Sequence, residues 1–275
     1  MKTDEFSNGK LMQGALGKGR DRLCFVLLAV FAVAVALAIN LMTSVKDLKT
    51  VLAMSSGREN RQTVILDAGH GGFDGGAVAS DGTVEKNINL KIAKQLCTLL
   101  TVDGFQVVMT RTEDIATDTV KSDEIRVRKR DDLKNRLALM REYPDAVFVS
   151  IHLNKFTTGA ACGAQVFYAV KTDGSESLAD QIQSTVTELM QPENTRVVKP
   201  GSQSAYLLDR AVIPAVIVEC GFLSNRQELE KLKNKDYQNQ LAFAIAIGIE
   251  RYFSAEYKGT ENACGRQNQN GLSVQ

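Results

Sequence analysis

The sequence carries almost no net charge: 33 Lys and Arg stand against 32 Asp and Glu, a formal +1. A chain so balanced gives no electrostatic basis for a nucleic-acid partner. Cysteine is sparse and unpaired. Cys24, Cys97, Cys162, Cys220 and Cys264 are odd in number and scattered, with no CxxC pair. That pattern fits neither a disulfide framework nor a cysteine-based zinc site. Cys97 falls in a helical apolar pattern and reads as a small core residue. There is no internal repeat. Histidine is scarce, with only His70 and His152 in 275 residues.

What is present is an ordinary globular composition, 44% hydrophobic and 24% charged, which predicts one sizeable domain with attachments. No charged residue occurs between Arg22 and Lys46, and residues 23–42, LCFVLLAVFAVAVALAINLM, are apolar almost throughout. At about 1.5 Å per residue this stretch can cross a hydrocarbon core of about 30 Å. It reads as a retained signal anchor, with cleavage at the A-x-A-like Ala36-Leu37-Ala38 as the alternative. Lys18, Arg20 and Arg22 favour a cytoplasmic 1–22 segment, although Lys46, Lys49, Arg58 and Arg61 leave the charge asymmetry slight. Residues 43–61 read as a tether, 62–254 as a catalytic domain and 255–275, rich in Gln and Asn, as a disordered tail. The domain is thereby expected on the outer face of the membrane.

Within the domain, apolar β-type runs alternate with helical patterns. The expected strands are TVILDA, FQVVMT, AVFVSIHL, AQVFYAV and AVIVECG; the expected helices cover 85–100, 126–143, 175–190 and 236–253. This alternation predicts an α/β fold with a mostly parallel twisted sheet and helices on both faces. In such sheets functional groups gather at the carboxyl ends of the strands. His70 follows the first strand, His152 ends the third and Glu219 ends the last.

The segment VILDAGHGGFDGGAV, residues 64–78, sets five glycines around His70. It matches neither G-x-G-x-x-G nor G-x-x-x-x-G-K-[ST], so a phosphate cradle lacks its defining residues. Small residues there let backbone and substrate approach a metal. Two imidazoles and a carboxylate are a usual ligand set for catalytic zinc. Glu85, at the start of the next helix, is the candidate third ligand, or else a first-turn glutamate favoured by the helix dipole. Glu219 closes an apolar strand, where a carboxylate is costly without a partner. Its partner is expected to be a metal-bound water, or else Arg196 or Arg210 in a salt bridge. Asp67 is expected either to orient a ligand from behind or to cap a turn.

ILDAGHGGFDGGA, EKNINLKIA, VVMTR, FVSIHLN and VIVECGFLSN resemble, in that order, the zinc-dependent N-acetylmuramoyl-L-alanine amidases of bacterial cell walls, over residues 62–254. RVRKRDDLKNRLAL, the NTR at 194–196 and the N-terminal apolar segment are most similar to the germination-specific branch of spore formers. The resemblance implies one zinc ion held by His70, Glu85 and His152, with Glu219 as the catalytic glutamate. It implies hydrolysis of the amide between the lactyl group of N-acetylmuramic acid and L-alanine in peptidoglycan. In that branch the hydrolysis prepares the muramic δ-lactam of the spore cortex. Asn154 and Arg196 are expected to touch substrate, Arg196 through a carboxylate of the stem peptide. A zinc peptidase cutting within the stem, a non-catalytic wall-binding module and a cysteine hydrolase built on Cys220 are the competing readings. A protein partner or a homodimer is compatible with the sequence.

Overall fold

The computed structural model describes residues 61–202 and 205–270, with 256–270 described by their backbone. The expected membrane segment 23–42, the residues before it, the tether up to residue 60 and the end of the tail lie outside the described residues. Among the described residues no helix is long and apolar enough to cross a membrane.

Six strands form one sheet: β1 (Thr63–Ala68), β2 (Gln106–Met109), β3 (Val147–Asn154), β4 (Gln165–Tyr168), β5 (Lys199–Pro200) and β6 (Ala215–Phe222). Their order is β2-β1-β3-β6-β4-β5. Helices α1 (Glu85–Val102), α2 (Ile125–Glu142), α3 (Ser175–Leu189), α4 (Tyr206–Asp209), α5 (Arg226–Lys233) and α6 (Lys235–Asn270) cover both faces. α1, α3, α5 and α6 pack with Val64, Val149 and Val218 on one face; α2 and α4 pack with Ile65, Phe148 and Ala215 on the other. The class is α/β, with a mixed sheet. β1, β2, β3 and β6 are mutually parallel, whereas β4 runs antiparallel to β6 and β5 runs parallel to β4. The reversal has a covalent cause. Residues 155–164 leave β3 without a crossover helix, and a short connection returns a chain in the opposite direction.

The five expected strands are all present, and four helices lie where the spacing put them. β5, α4 and α5 are additional; two to eight residues are too few to show a period. The backbone of α6 runs as far as Asn270, into the expected tail segment.

Two features of this topology place the site. β1 has β2 on one side and β3 on the other, so the chain leaves β1 in one direction and later returns on the opposite side. That reversal opens a crevice at the carboxyl ends of β1 and β3. α1 then spans the first crossover, with Ile92, Leu96 and Leu100 fully buried along one stripe. Each contributes about 1.5–3 kcal/mol, which fixes the helix whose first residue is Glu85.

Candidate functional site: a three-donor cluster at the sheet edge

His70 lies just beyond β1 with φ +63°, the one described non-glycine residue in the left-handed region. Such a backbone costs about 1 kcal/mol or more and persists only where its surroundings impose it. Two buried guanidiniums impose it. Arg111 donates from Nε to the Ala68 carbonyl at 2.8 Å and from Nη2 to the Gly69 carbonyl at 3.1 Å. Arg136 donates from Nη1 to the Ala68 carbonyl at 3.1 Å and from Nη2 to the His70 carbonyl at 2.8 Å. Three successive carbonyls are therefore pinned, and the imidazole projects over the crevice.

His152, on β3, and Glu85 meet it there. Donor atoms of the three side chains all lie within 4.8 Å of one another. Glu85 is the hub: Oε2 lies 3.3 Å from His70 Nε2, and Oε1 lies 3.1 Å from His152 Nδ1. The carboxylate also accepts from the Ala77 N–H at 2.8 Å, the Leu153 N–H at 3.0 Å and Asn89 Nδ2 at 3.2 Å. A glutamate serving only the helix dipole would not be held by groups from outside its helix. Burial alone would raise this carboxyl, but the hydrogen bonds from His152 and His70 outweigh it and hold it well below the usual range.

The glycines give this cluster its room. A Cβ on Gly69 would overlap the His152 ring; one on Gly76, where φ is +69°, would stand 2.5 Å from Glu85 Oε2 and 2.6 Å from His70 Cδ2. Any side chain at either position displaces a donor.

Glu219 sits beside His152 in register on β6. Burial pushes its carboxyl up to about 6, and Oε2 is buried with no hydrogen-bond partner among the described groups. The salt-bridge alternative is not what the fold provides. Arg210 pairs with Asp209 and stacks on Tyr206, while Arg196 bonds Gln165 and the Cys162 carbonyl. The neighbouring Cys220 is fully buried, and burial raises its thiol far above the thiolate range, which disfavours a thiol nucleophile. Asn154 closes β3, its carbonyl accepting from the Leu223 N–H at 2.8 Å.

Asp67 touches no side chain of the cluster. It is buried against Arg136, Ser150 Oγ and Thr110 Oγ1; Arg136 links it to the Ala68 and His70 carbonyls, and its charge also acts on His152. The residue behind the imidazole is Asp74, four positions on. Its Oδ2 lies 2.9 Å from His70 Nδ1, and Lys129 of α2 bonds its other oxygen at 2.8 Å. An ionised carboxylate can only accept, so Nδ1 carries a hydrogen, and Nε2, facing the cluster, is the nitrogen that gives up its proton when a cation is bound there. Burial alone would lower the His70 imidazolium; the bonds to Asp74 and Glu85 outweigh it and push it up to about 9. Replacing Asp74 by Asn removes the charge that fixes this tautomer. Zinc affinity, read by competition with a chromophoric chelator, is expected to weaken about 10- to 100-fold, and the metal-free protein is expected to lose some stability at neutral pH as His70 and Lys129 lose their carboxylate partner.

The donor set suits zinc. In a tetrahedral ion with bonds of about 2.0–2.1 Å, neighbouring donors stand roughly 3.3 Å apart, the separation of His70 Nε2 and Glu85 Oε2.

Comparison with known proteins gives a consistent picture. The profile of the Amidase_3 family, N-acetylmuramoyl-L-alanine amidase, matches residues 64–251. The germination-specific N-acetylmuramoyl-L-alanine amidase of Bacillus subtilis is 35% identical over 191 residues, 70% of this chain and 79% of the relative. Among solved structures, the CwlD amidase from Clostridioides difficile, in complex with the GerS lipoprotein, aligns with TM-score 0.67 and 40% identity, covering 71% of this chain and all of that one. AmiC2 of Nostoc punctiforme aligns with TM-score 0.59 and 29% identity over 70% of this chain and 97% of its own. Since the matched span runs from β1 through the packed part of α6 and takes in every residue of the cluster, the chain belongs to the N-acetylmuramoyl-L-alanine amidase family, as a member similar to the CwlD amidases, and is an enzyme of that activity.

Proposed function

We propose that this amidase is zinc-dependent, with His70, Glu85 and His152 as the metal ligands and Glu219 as the catalytic acid–base, and that it strips stem peptides from muramic acid in spore cortex peptidoglycan. The observation that carries the reading is the lone buried oxygen of Glu219, aimed at no protein group and next to a three-donor cluster. A buried carboxylate oxygen without a partner is expensive; a water to deprotonate gives it one.

Zinc in this cluster would supply Lewis acidity towards the scissile carbonyl and a lowered pKa for water. The chain's own residues do the rest. Glu85 and the two imidazoles fix the position of the reacting carbonyl. Glu219 takes a proton from the attacking water and returns it to the leaving alanine nitrogen. Burial favours the protonated carboxyl and so helps it hold the proton between the two transfers. Asp74 keeps His70 in the tautomer with Nε2 free.

The germination-specific relative in Bacillus subtilis supports the cortex assignment, and the GerS complex of the relative from Clostridioides difficile supports a protein partner. The apolar segment 23–42 supports membrane attachment with the enzyme on the outer side, between mother cell and forespore. A catalytic domain of residues 62–254 fits this arrangement.

The test is product analysis by mass spectrometry on peptidoglycan digested by the full chain. A free lactyl carboxylate together with an intact stem peptide is expected; shortened stems would make it a peptidase. Chelator treatment is expected to abolish release and zinc add-back to restore it. Release that survives complete removal of the metal would refute the zinc assignment.

A further inference from the structure

Beyond Glu219, on the side away from the histidines, the same face of the sheet carries a cation with no counter-charge. Gln165 opens β4 and is the antiparallel register partner of Glu219. Directly opposed residues project to one face, so His152, Glu219 and Gln165 form a row across three strands. Gln165 is 4% exposed and locked at both ends. Its Nε2 donates to the Val197 carbonyl at 2.9 Å, and its Oε1 accepts from Arg196 Nη1 at 3.0 Å. Arg196 is held further by Nε donating to the Cys162 carbonyl at 2.7 Å and by the Phe222 ring, 4.6 Å below the guanidinium carbon. The backbone beneath it is fastened too: Asn194 Oδ1 accepts from the Arg196 N–H at 3.0 Å, and Asn194 Nδ2 donates to the Ala164 carbonyl at 2.8 Å.

Every partner of this guanidinium is neutral. Among the described residues Arg196 enters no ion pair; unlike Arg111, whose guanidinium is used up on four backbone carbonyl bonds, it makes two side-chain hydrogen bonds. A half-buried guanidinium oriented by amide, carbonyl and ring, with no carboxylate in ion-pair contact among the described residues and the nearby Glu228 engaged by the Gly163 and Phe222 N–H groups, is prepared for an anion from outside.

The row fixes which end of the substrate that anion belongs to. This step rests on the amidase reading, in which Glu219 protonates the leaving nitrogen. The peptide side of the scissile bond therefore lies at Glu219, and the glycan side lies towards the histidines. Continuing away from the histidines, the chain crosses from β6 to β4, about 4.8 Å. One peptide residue spans about 3.8 Å between α-carbons. The second residue of the stem thus arrives at Gln165 and Arg196. We propose that Arg196, positioned by Gln165, binds the free carboxylate of an acidic second residue of the stem peptide, and so selects substrates in which that carboxylate is not amidated.

The experiment uses the full chain and two muramoyl peptides that differ at one group, with glutamate or its amide as the second residue. The wild type is expected to favour the acid by about 10- to 100-fold in kcat/KM, the range of a hydrogen bond to a charged group. The preference should lie mainly in KM, since the contact is remote from the reacting atoms. Arg196→Gln is expected to bring the ratio near one, and Arg196→Lys, which keeps the charge and loses the fork, to retain part of it. A wild type without preference overturns the proposal. So does an Arg196→Gln variant that loses rate equally on both substrates, the signature of a merely structural residue. Failure of the wild type to cleave either peptide overturns the underlying amidase reading, and the proposal falls with it by a recognisably different route.

Discussion

Replacing Glu219 by Gln is expected to lower kcat for stem-peptide release by about 10²- to 10⁴-fold, the range of a positioned proton-transfer group, while zinc content and wall binding stay at wild-type levels. The substitution preserves shape. A glutamine fills the space at the end of β6, and the neighbouring cluster of His70, Glu85 and His152 keeps its hydrogen bonds, since Glu219 supplies none of them. What disappears is a buried carboxylate oxygen that has no hydrogen-bond partner among the described residues and can accept a proton. Glu219→Asp provides the matching measurement. It keeps the carboxylate and withdraws it by one methylene, a displacement of the order of 1 Å that can itself cost about 10²-fold. Equilibrium dialysis with zinc, sedimentation with insoluble wall and single-turnover product release separate the three quantities. A Glu219→Gln form that releases stem peptide at the wild-type rate would remove Glu219 from the chemistry.

How far the site could be read from the letters alone depends on the kind of force holding each residue. His70 and His152 were conspicuous because the chain has only two histidines and each follows an apolar run. Glu219 stood out because its strand is otherwise apolar. These are signals of burial, and burial has a sequence period. The supporting groups carry no such signal. Arg136 lies in RVRKRDDLKNRLAL, where six residues are Arg or Lys, and nothing local says that one of them is 2% exposed beneath the glycine loop. Arg111 follows a strand as an ordinary polar residue would. Asp67, read either as orienting a ligand or as capping a turn, pairs with Arg136, a partner that no local pattern announces. Asn89 could have been found. It stands four residues after Glu85 on one helix, so the two share a face. Asp74 has the same spacing from His70, but in a loop, where spacing implies no contact. The strand runs were equally legible, whereas the direction of β4 depends on the absence of a crossover helix between 155 and 164.

Arg136→Met is expected to destabilise the protein by about 3–5 kcal/mol at neutral pH, the usual consequence of leaving one member of a buried ion pair behind. Against a typical total of about 5–15 kcal/mol this is a large fraction. In the wild type, burial alone would raise the Asp67 carboxyl; Arg136, Ser150 and Thr110 outweigh it and hold it below its ordinary value. A depressed folded pKa contributes stability that is complete above the unfolded value, near 4, and is lost as pH falls through the folded one. In the variant the guanidinium is gone and burial dominates, so the carboxyl moves above its ordinary value and acid relieves the strain. The two stability curves therefore converge as pH drops from 7 towards 4, and urea unfolding at several pH values measures the convergence; parallel curves would show that the ion pair is not the origin of the effect. Adding Asp67→Leu separates two roles of the arginine. Removing both charges restores the part of the loss that belongs to the pair. The remainder belongs to Asp132, whose carboxylate pairs with Arg136 at 2.8 Å and is itself buried, and to the Ala68 and His70 carbonyls that Arg136 also holds. Because the carbonyl bonds keep His70 at φ +63°, the double variant, in which Asp132 still lacks its partner, is expected to regain only part of its stability and to bind zinc more weakly than the wild type, tying the strained turn at the end of β1 to the readiness of the metal site.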